Sequence, residues 1–406
     1  MKIAYLAPEI PALSATFVYN EILALLELGY QVLPISVLKP LHEASDPQLA
    51  ELKRQVVQLY ATPKLSALAS HALMLCKHPA RYLSSFGWLM RDLRAVGVGT
   101  RTSFGLVYRF FFAGHLARLI ERNQVQHLHV HFAHVPTDIA MYAAHIVGIG
   151  FSVTAHANDI FERGWLLPEK VARSVFFATI SEFNKRYLIE KKQVKPEKVT
   201  VVRCGVETRH LTPKPFGYLT FPLTIGVLGR LVEKKGIDTL IDAVALLVEQ
   251  GVAVDLKIAG SGPLQDSLMQ KVEALQLDDR VAFLGALPYS EMPRFLTSLD
   301  LFVLPCKKDS HGDMDGIPVV LMEAMRLGVP VISSVISGIP ELVVDHVTGL
   351  LTQPDDASEL ARVILNLCGN RELQEQITHK AAMKVEQEFS LQANVQRLEH
   401  LFKSAI

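Results

Sequence analysis

The sequence contains little cysteine and has no long apolar run. Its 406 residues include 4 Cys, and these lie far apart at Cys76, Cys204, Cys306 and Cys368. No Cys-x-x-Cys pair is present, which argues against a disulfide framework and a cysteine-based zinc site. No stretch approaches the 18 apolar residues that a membrane-spanning helix needs. We therefore expect a protein of a reducing cytoplasm without a transmembrane segment.

Charge of one sign is also not in excess. The 41 Lys and Arg residues balance 41 Asp and Glu residues, so no overall field attracts the chain to nucleic acid, and we expect no nucleic-acid partner. The first apolar run is too short for the core of a secretory signal, and Pro8 and Pro11 interrupt its continuation. The sequence therefore predicts no signal peptide.

The chain is long enough, and apolar enough, for two domains with large cores. Half of its residues are hydrophobic, and 20% are charged, a balance typical of globular proteins. Short apolar runs alternate with helical patterns, which predicts parallel β-sheets covered by helices. The predicted strands cover residues 3–7, 31–37, 56–60, 128–131, 151–155, 176–180, 199–203, 224–228, 254–259, 281–284, 301–304 and 329–333.

A Pro- and Gly-containing stretch at residues 212–217 suits a linker between the two halves. We predict one domain over residues 1–212, a second over 213–385, and a C-terminal helix over 386–406 that packs back on the first domain. Ligands of such folds bind where strand ends and helix N-termini converge.

Residues 229–236 read Gly-Arg-Leu-Val-Glu-Lys-Lys-Gly, between a predicted strand and a predicted helix that begins near Ile237. A glycine turn that places Arg230 and Lys235 near a helix start suits a diphosphate. Taken alone, the segment fits a solvated loop better, because short motifs give many false matches.

Gly260 and Gly262 follow the next predicted strand. Glycines at that place let a ligand approach the backbone, and tight packing of strand against helix explains them equally well.

The segment 313–325 follows a later strand and opens a helix. Pro318 suits the first helical position and leaves the amides of Val319 and Val320 free for an anion. Asp315 would lie in the loop and Glu323 on the second helical turn, so that each carboxylate can bind hydroxyls of a different part of one ligand. The alternative is an acidic residue near a helix N-terminus and an unrelated surface Glu.

In this order the three segments resemble the C-terminal domain of the family 4 retaining glycosyltransferases. The E-x7-E signature of that family is matched by Asp315 and Glu323, with Asp where the family usually has Glu. The segments 306–318 and 337–341 look like the exopolysaccharide and colanic-acid branch, and residues 14–18 are similar to the opening loop of that branch. The resemblance implies an α/β protein of GT-B architecture, with two Rossmann-like domains whose parallel sheets face each other across a cleft.

The resemblance also implies an activity and its partners. A sugar would pass, with retention of its anomeric configuration, from a nucleotide-sugar donor on the second domain to a glycan or lipid-linked acceptor on the first. Arg230 and Lys235 would balance the charge of the leaving diphosphate, and no metal or other cofactor is expected. His156 matches a family histidine near the donor sugar, although a structural histidine is the alternative.

The site residues follow from this resemblance. The expected catalytic residues are His156, Arg230, Lys235 and Asp315; the donor-binding residues are Gly229, Gly260, Gly262, Gly316, Ile317, Pro318, Val319, Val320 and Glu323; the acceptor or cleft-loop residues are Ser14, Thr16, Asn158 and Asp159.

His127, His129 and His131 alternate along one predicted strand and share a face, with His134 just beyond. This pattern raises the possibility of a metal site. No Asp or Glu follows at a helical metal-binding spacing, and histidines near strand ends also serve as hydrogen-bonding groups. We expect no metal.

Residues 61–120 are basic and rich in aromatic side chains. The eight cations are Lys64, Lys77, Arg81, Arg91, Arg94, Arg101, Arg109 and Arg118, against the single acid Asp92. A surface that contacts the inner face of the plasma membrane is one interpretation. Amphipathic helices that pack on the sheet are the other.

Two rival functions share this architecture. A nucleotide-sugar epimerase would convert the donor without an acceptor, but the segment 313–325 is like that of a glycosyltransferase. A non-catalytic sugar-nucleotide-binding subunit is favoured only by Asp315 in place of Glu.

Overall fold

The computed structural model describes residues 1–12, 15–40 and 47–405. Its contacts divide the chain into two compact units. The first unit comprises Met1–Arg203 and the residues from Asn394 onward, and the second comprises Cys204–Ala393.

The first unit alternates strands and helices from its start. Its elements are β1 (Lys2–Ala7), α1 (Thr16–Glu27), β2 (Gln31–Ser36), α2 (Pro47–Gln55), β3 (Val57–Gln58), α3 (Lys64–Lys77), α4 (Pro79–Ala95), α5 (Arg101–Arg122), β4 (His127–His131), α6 (Val135–Val147), β5 (Gly150–Ala155), α7 (Ala157–Phe161), α8 (Leu167–Arg173), β6 (Phe177–Thr179), α9 (Glu182–Lys192) and β7 (Val199–Val201).

The strands of this unit form one parallel sheet in the order β3-β2-β1-β4-β5-β6-β7. Its central strands are buried on both faces, as helices on both sides of a parallel sheet require. The strand order reverses between β1 and β4, which is the point where folds of this kind bind ligands.

The second unit repeats the pattern. Its elements are β8 (Leu223–Leu228), α10 (Ile237–Glu249), β9 (Val254–Ala259), α11 (Gln265–Ala274), β10 (Val281–Gly285), α12 (Met292–Thr297), β11 (Leu301–Leu304), α13 (Val319–Arg326), β12 (Val331–Ser334), α14 (Ile339–Leu342), β13 (Leu350–Thr352), α15 (Ala357–Cys368), α16 (Arg371–Lys384) and α17 (Leu391–Ala405), whose residues from Asn394 belong to the first unit.

The second sheet has the order β10-β9-β8-β11-β12-β13, and its strands also pair in parallel. This is the Rossmann order, with the reversal between β8 and β11. Each unit has its own core of apolar side chains from strands and covering helices. The prediction of two Rossmann-like units with parallel sheets is confirmed.

The predicted strands overlap observed ones, and β13 is a strand that the sequence analysis did not predict. In the described part of the chain, no helix is both long and apolar enough to cross a bilayer.

Candidate active site

In the second unit, the loops after β8 and β11 meet at the reversal of the strand order. The backbone N–H of Lys307 donates to the carbonyl of Lys234 at 3.0 Å. Gly236 ends the first loop with φ +65°, and a Cβ there would lie 1.9 Å from the carbonyl oxygen of Pro305. Only glycine permits this approach, so the sequence Lys-Lys-Gly fixes both lysines against the second loop.

A cluster of charged side chains occupies this junction. The Nζ of Lys235 lies 2.6 Å from the carboxylate of Asp315, and the Nζ of Lys234 lies 3.4 Å from the same carboxylate and 2.7 Å from that of Asp313. These side chains are no more than 19% exposed. Arg230 is exposed and close enough for its charge to act on Lys235.

The pairing shifts the titration of both partners. Burial alone would raise the pKa of Asp315, but the ammonium groups of Lys235 and Lys234 outweigh burial and hold this pKa below its usual value. Burial would likewise lower the pKa of Lys235, but the Asp315 carboxylate outweighs burial and raises it. Both groups are therefore charged at neutral pH.

Glu323 has the opposite environment. It lies on the second turn of α13 and is only 5% exposed. Burial raises the pKa of its carboxyl to about 7, and a hydrogen bond with Tyr289 opposes the shift. Glu323 therefore gains or loses its proton near neutral pH, whereas Asp315 stays ionised.

Helix α13 begins at Val319, with Pro318 as its N-cap rather than its first helical residue. The N–H groups of Val319 and Val320, at the start of the helix, have no acceptor within it. They give the loop an anion-binding end next to Gly316 and Ile317.

Gly260 and Gly262, which follow β9, let the loop after β9 pack closely against the loop after β8. A Cβ on Gly260 would lie 1.8 Å from the carbonyl oxygen of Gly229, and one on Gly262 would lie 2.5 Å from that of Leu231. Packing of the loops after β8 and β9 therefore accounts for Gly260 and Gly262, and their contact with a donor stays a prediction. At Gly229 a Cβ would meet the side chain of Lys235 at 3.4 Å, an ordinary contact, so space does not require glycine at this position.

In the first unit, His156 lies directly after β5 and is buried. Its Nε2 lies 3.2 Å from Nδ1 of His131, and Nε2 of His131 lies 2.9 Å from the carboxylate of Glu21 on α1. Burial, and then the charges of His131 and His134, lower the pKa of His156 well below its usual value. His156 is therefore neutral and belongs to a chain of hydrogen bonds.

The other residues predicted for the first unit have different surroundings. Asp159 is fully buried, and its carboxylate accepts the backbone N–H groups of Ala133 and His156. The side chain of Asn158 donates to Glu162 on the same helix. Thr16 is the first residue of α1. Ser14 lies outside the described residues.

The histidines of β4 meet a carboxylate that the sequence pattern does not reveal. Glu21, His129 and His131 each offer an atom that a metal could bind, and these atoms lie within 4.8 Å of one another. Each nitrogen of His129 already has a partner, since Nδ1 lies 2.8 Å from the hydroxyl of Ser152 and Nε2 lies 3.1 Å from that of Thr154. Hydrogen bonding thus accounts for the cluster.

Sequence reasoning missed Glu21, Lys234 and Asp313. The paired Lys-Lys and Asp-x-Asp patterns in the two loops are a weak signal for the last two. Glu21 is separated from His131 by 110 positions, and no local pattern joins them.

Comparison with known proteins decides the family. The model described as "Glycosyltransferase Family 4" matches residues 14–210, and the model described as "Glycosyl transferases group 1" matches residues 220–384. The amylovoran biosynthesis glycosyltransferase AmsK of Erwinia amylovora is 32% identical over 410 residues, which cover 96% of each chain. The chain belongs to the family 4 glycosyltransferases.

Two further comparisons cover the whole length of this glycosyltransferase, one with a sequence relative and one with a solved structure. WcaL of Escherichia coli (strain K12), by name a glycosyltransferase of colanic acid biosynthesis, is 30% identical and aligns over 100% of both chains. The structure of Anabaena Alr3699/HepE in complex with UDP-glucose superposes with a TM-score of 0.73 at 18% identity and covers 100% of both chains. The fold is therefore GT-B, and these findings favour neither the epimerase nor the non-catalytic subunit.

Proposed function

We propose that this glycosyltransferase transfers a hexose from a nucleotide sugar to a glycan or lipid-linked acceptor, with retention of configuration, in the assembly of an exopolysaccharide. The relatives AmsK and WcaL, named for amylovoran and colanic acid biosynthesis, support the polymer class. HepE, which has been solved with UDP-glucose, supports the donor class. The observation that carries the proposal is the charged cluster between the loops after β8 and β11.

The cluster has a net positive charge, which favours a leaving diphosphate. Arg230, Lys234 and Lys235 supply three positive charges, and Asp313 and Asp315 supply two negative ones. The remaining positive charge and the N-terminal end of α13 can both bind phosphate oxygens. As the glycosidic bond breaks, negative charge grows on the diphosphate, and preformed cations stabilise that state more than the bound donor.

The carboxylates have separate tasks in this proposal. Asp315, ionised and held by two lysines, orients the donor sugar through its hydroxyls and sets the position of Lys235. Glu323, buried one helical turn beyond the N-terminal end of α13, binds the ribose diol. His156 orients the donor sugar, as the family resemblance implies. No metal takes part, because the lysines and Arg230 supply the positive charge.

The test is a transfer assay with the purified chain, a panel of labelled nucleotide sugars, and a lipid extract that contains lipid-linked glycans. We expect label to pass from one donor to the lipid fraction, with the anomeric coupling constant of the donor preserved in the product. A product of the opposite anomeric configuration would contradict retention. Epimerisation of the donor without an acceptor would contradict transfer.

We also propose that the first unit contacts the inner face of the plasma membrane. Helices α3 and α5 run side by side in one direction, since Ser70 bonds to His115 and Lys77 to Glu121. Exposed apolar side chains gather at or beside their N-terminal ends. This apolar tip consists of Leu65, Leu68, Val98, Phe104 and Val107.

Three exposed cations are close in sequence to residues of the apolar tip. Lys64 and Arg101 are the first residues of α3 and α5, and Arg94 lies in the last turn of α4; all three are exposed. Arg109, in contrast, is mostly buried and bonds to Asp138 at 2.8 Å, so it is unavailable to lipid. Exposed apolar side chains with cations beside them in the sequence suit an anionic lipid surface.

A further inference from the structure

One face of α1 contacts two histidines of the first unit, His131 and His156. Phe17 and Glu21 lie four residues apart and therefore on the same side of the helix. The ring of Phe17 lies 4.6 Å from that of His156, measured between centroids, and 6.0 Å from that of His131. Glu21 receives Nε2 of His131 at 2.9 Å. One helix thus covers the two imidazoles and anchors them.

The carboxylate of Glu21 gives the hydrogen bonds one direction. An ionised carboxylate can only accept, so Nε2 of His131 carries the proton that it shares with Glu21. The imidazole of His156 accepts the backbone N–H of Asp159 at its other nitrogen. Its Nε2 therefore carries the proton and donates to Nδ1 of His131 across 3.2 Å. The hydroxyl of Tyr5 donates to the same carboxylate oxygen at 2.5 Å.

The remaining nitrogen of His156 is held by its own loop. The imidazole faces the backbone N–H of Asp159 in a capping box, and the Asp159 carboxylate accepts the backbone N–H of His156 at 2.8 Å. The ring of His156 is therefore held on one side by its own loop. On the other side it is held by the hydrogen bonds that run through His131 to Glu21.

The path is shielded from water. The side chain of Glu21 is 12% exposed and that of His131 is 1% exposed. Hydrogen bonds in such surroundings are stronger and polarise one another more than in water. A substitution of Glu21 should therefore alter the hydrogen bonding of His156, although Glu21 does not contact His156.

We propose that Glu21 is a positioning residue for the transfer reaction, which acts through His131 to fix the tautomer and the orientation of His156. The inference rests on the proposed role of His156 in donor orientation. It adds a carboxylate from α1 that the family signature does not include.

A double-mutant cycle with Glu21→Ala and His156→Ala tests this coupling. We expect Glu21→Ala to lower kcat by about tenfold to a hundredfold, as for other carboxylates that orient a functional histidine, with a smaller change in donor KM. In the His156→Ala background the same substitution should have no further effect. Glu21→Gln keeps an oxygen that can accept from His131 and should restore most of the activity. Glu27→Ala, an exposed site on the same helix, is the matched control and should leave kcat unchanged.

The outcomes separate this inference from the function on which it rests. If Glu21→Ala lowers kcat by the same factor with and without His156, Glu21 acts independently and the coupling is wrong. If His156→Ala leaves kcat unchanged, the role of His156 in donor orientation fails, and the inference fails with it.

The nitrogen resonances of ¹⁵N-labelled histidine give a readout without activity. The wild-type chain should show Nε2-protonated His131 and His156, and Glu21→Gln should keep that pattern. Glu21→Ala should give a mixture of tautomers at His131, provided that melting curves show a folded chain. Unchanged resonances in Glu21→Ala would overturn the proposal.

Discussion

The ammonium group of Lys235 lies 2.6 Å from the carboxylate of Asp315. From the sequence, these residues are separate contacts of a donor, one for the diphosphate and one for the sugar. In the structure they form one ion pair, which Lys234 supports at 3.4 Å. A diphosphate that binds Lys235 must therefore share this lysine with Asp315. Binding of the diphosphate and binding of the sugar are thus coupled.

Lys235→Ala tests this coupling. We expect kcat to fall by about 10²–10³, the size of effect seen when one preorganised donor is removed, with a smaller change in donor KM. An exposed loop lysine would contribute little to stability, but Lys235 is only 14% exposed and neutralises Asp315. The variant should therefore also lose about 1–3 kcal/mol of unfolding free energy.

Steady-state kinetics and urea unfolding measure both effects. Lys308→Ala removes an exposed lysine from the neighbouring loop and should change neither. If Lys235→Ala raised KM alone, Lys235 would serve binding only. If neither constant moved, Lys235 would serve only to neutralise Asp315 and would have no part in transfer.

The order of the strands and the position of Asp315 and Glu323 follow from local patterns. Apolar runs along the chain predict the strands, and the segment 313–325 predicts the loop of Asp315 and the helix of Glu323, although Pro318 is the N-cap of that helix and not its first residue. The contacts divide the chain after Arg203, which no composition pattern indicates, and the linker at residues 212–217 stays a prediction.

The partners of these side chains could not be predicted in the same way. Lys234 and Asp313 are 79 positions apart, and Glu21 and His131 are 110 apart. Such pairs depend on which loops the sheet brings together. Gly260 shows the converse, since its requirement for glycine arises from the backbone of Gly229 and not from any ligand.

Removal of divalent metal should leave transfer intact. In the proposed mechanism, the cations Arg230, Lys234 and Lys235 take the place of a metal ion at the diphosphate. The measurement is the rate of transfer before and after treatment with EDTA. Loss of activity that Mn²⁺ or Zn²⁺ restores would contradict metal-independent transfer. Glu21, His129 and His131 would then be candidate metal ligands.

Loss of the apolar tip should weaken membrane binding. Leu65 and Phe104 are 82% and 69% exposed, so Leu65→Ser/Phe104→Ser removes apolar surface without disturbing the core. We expect binding to anionic vesicles to fall about tenfold, or about 1.4 kcal/mol, from the lost apolar contact. Flotation with vesicles measures this effect. Met269→Ser, an exposed apolar site in the second unit, is the control.

Salt separates the two parts of the membrane contact. Each cation that reaches anionic lipid contributes about 1 kcal/mol, which salt screens. Binding should therefore weaken in high salt and be poor on neutral vesicles. Equal binding to neutral and anionic vesicles would refute the electrostatic part.

Glu323 should make both stability and donor binding depend on pH, in opposite directions. Its pKa is about 7 in the folded chain, against 4.5 for an ordinary glutamate. The folded state thus holds this proton more tightly than the unfolded state does. Stability is full below the unfolded pKa and falls as pH rises towards 7, by about 3 kcal/mol in total.

Donor binding should follow the ionised form, because a carboxylate accepts two ribose O–H groups where a carboxylic acid does so less well. Affinity for a nucleoside diphosphate should therefore increase as pH rises through about 7, where Glu323 ionises. Glu323→Gln should lack both the fall in stability and this part of the rise in affinity, so the difference between variant and wild type isolates Glu323 from titration of the ligand phosphate. Glu273→Gln, exposed on α11, should behave as wild type. Calorimetric binding and thermal melting between roughly pH 5 and pH 8, the range around the shifted pKa, measure both quantities. Parallel curves for wild type and Glu323→Gln would show that this carboxylate does not contact the donor.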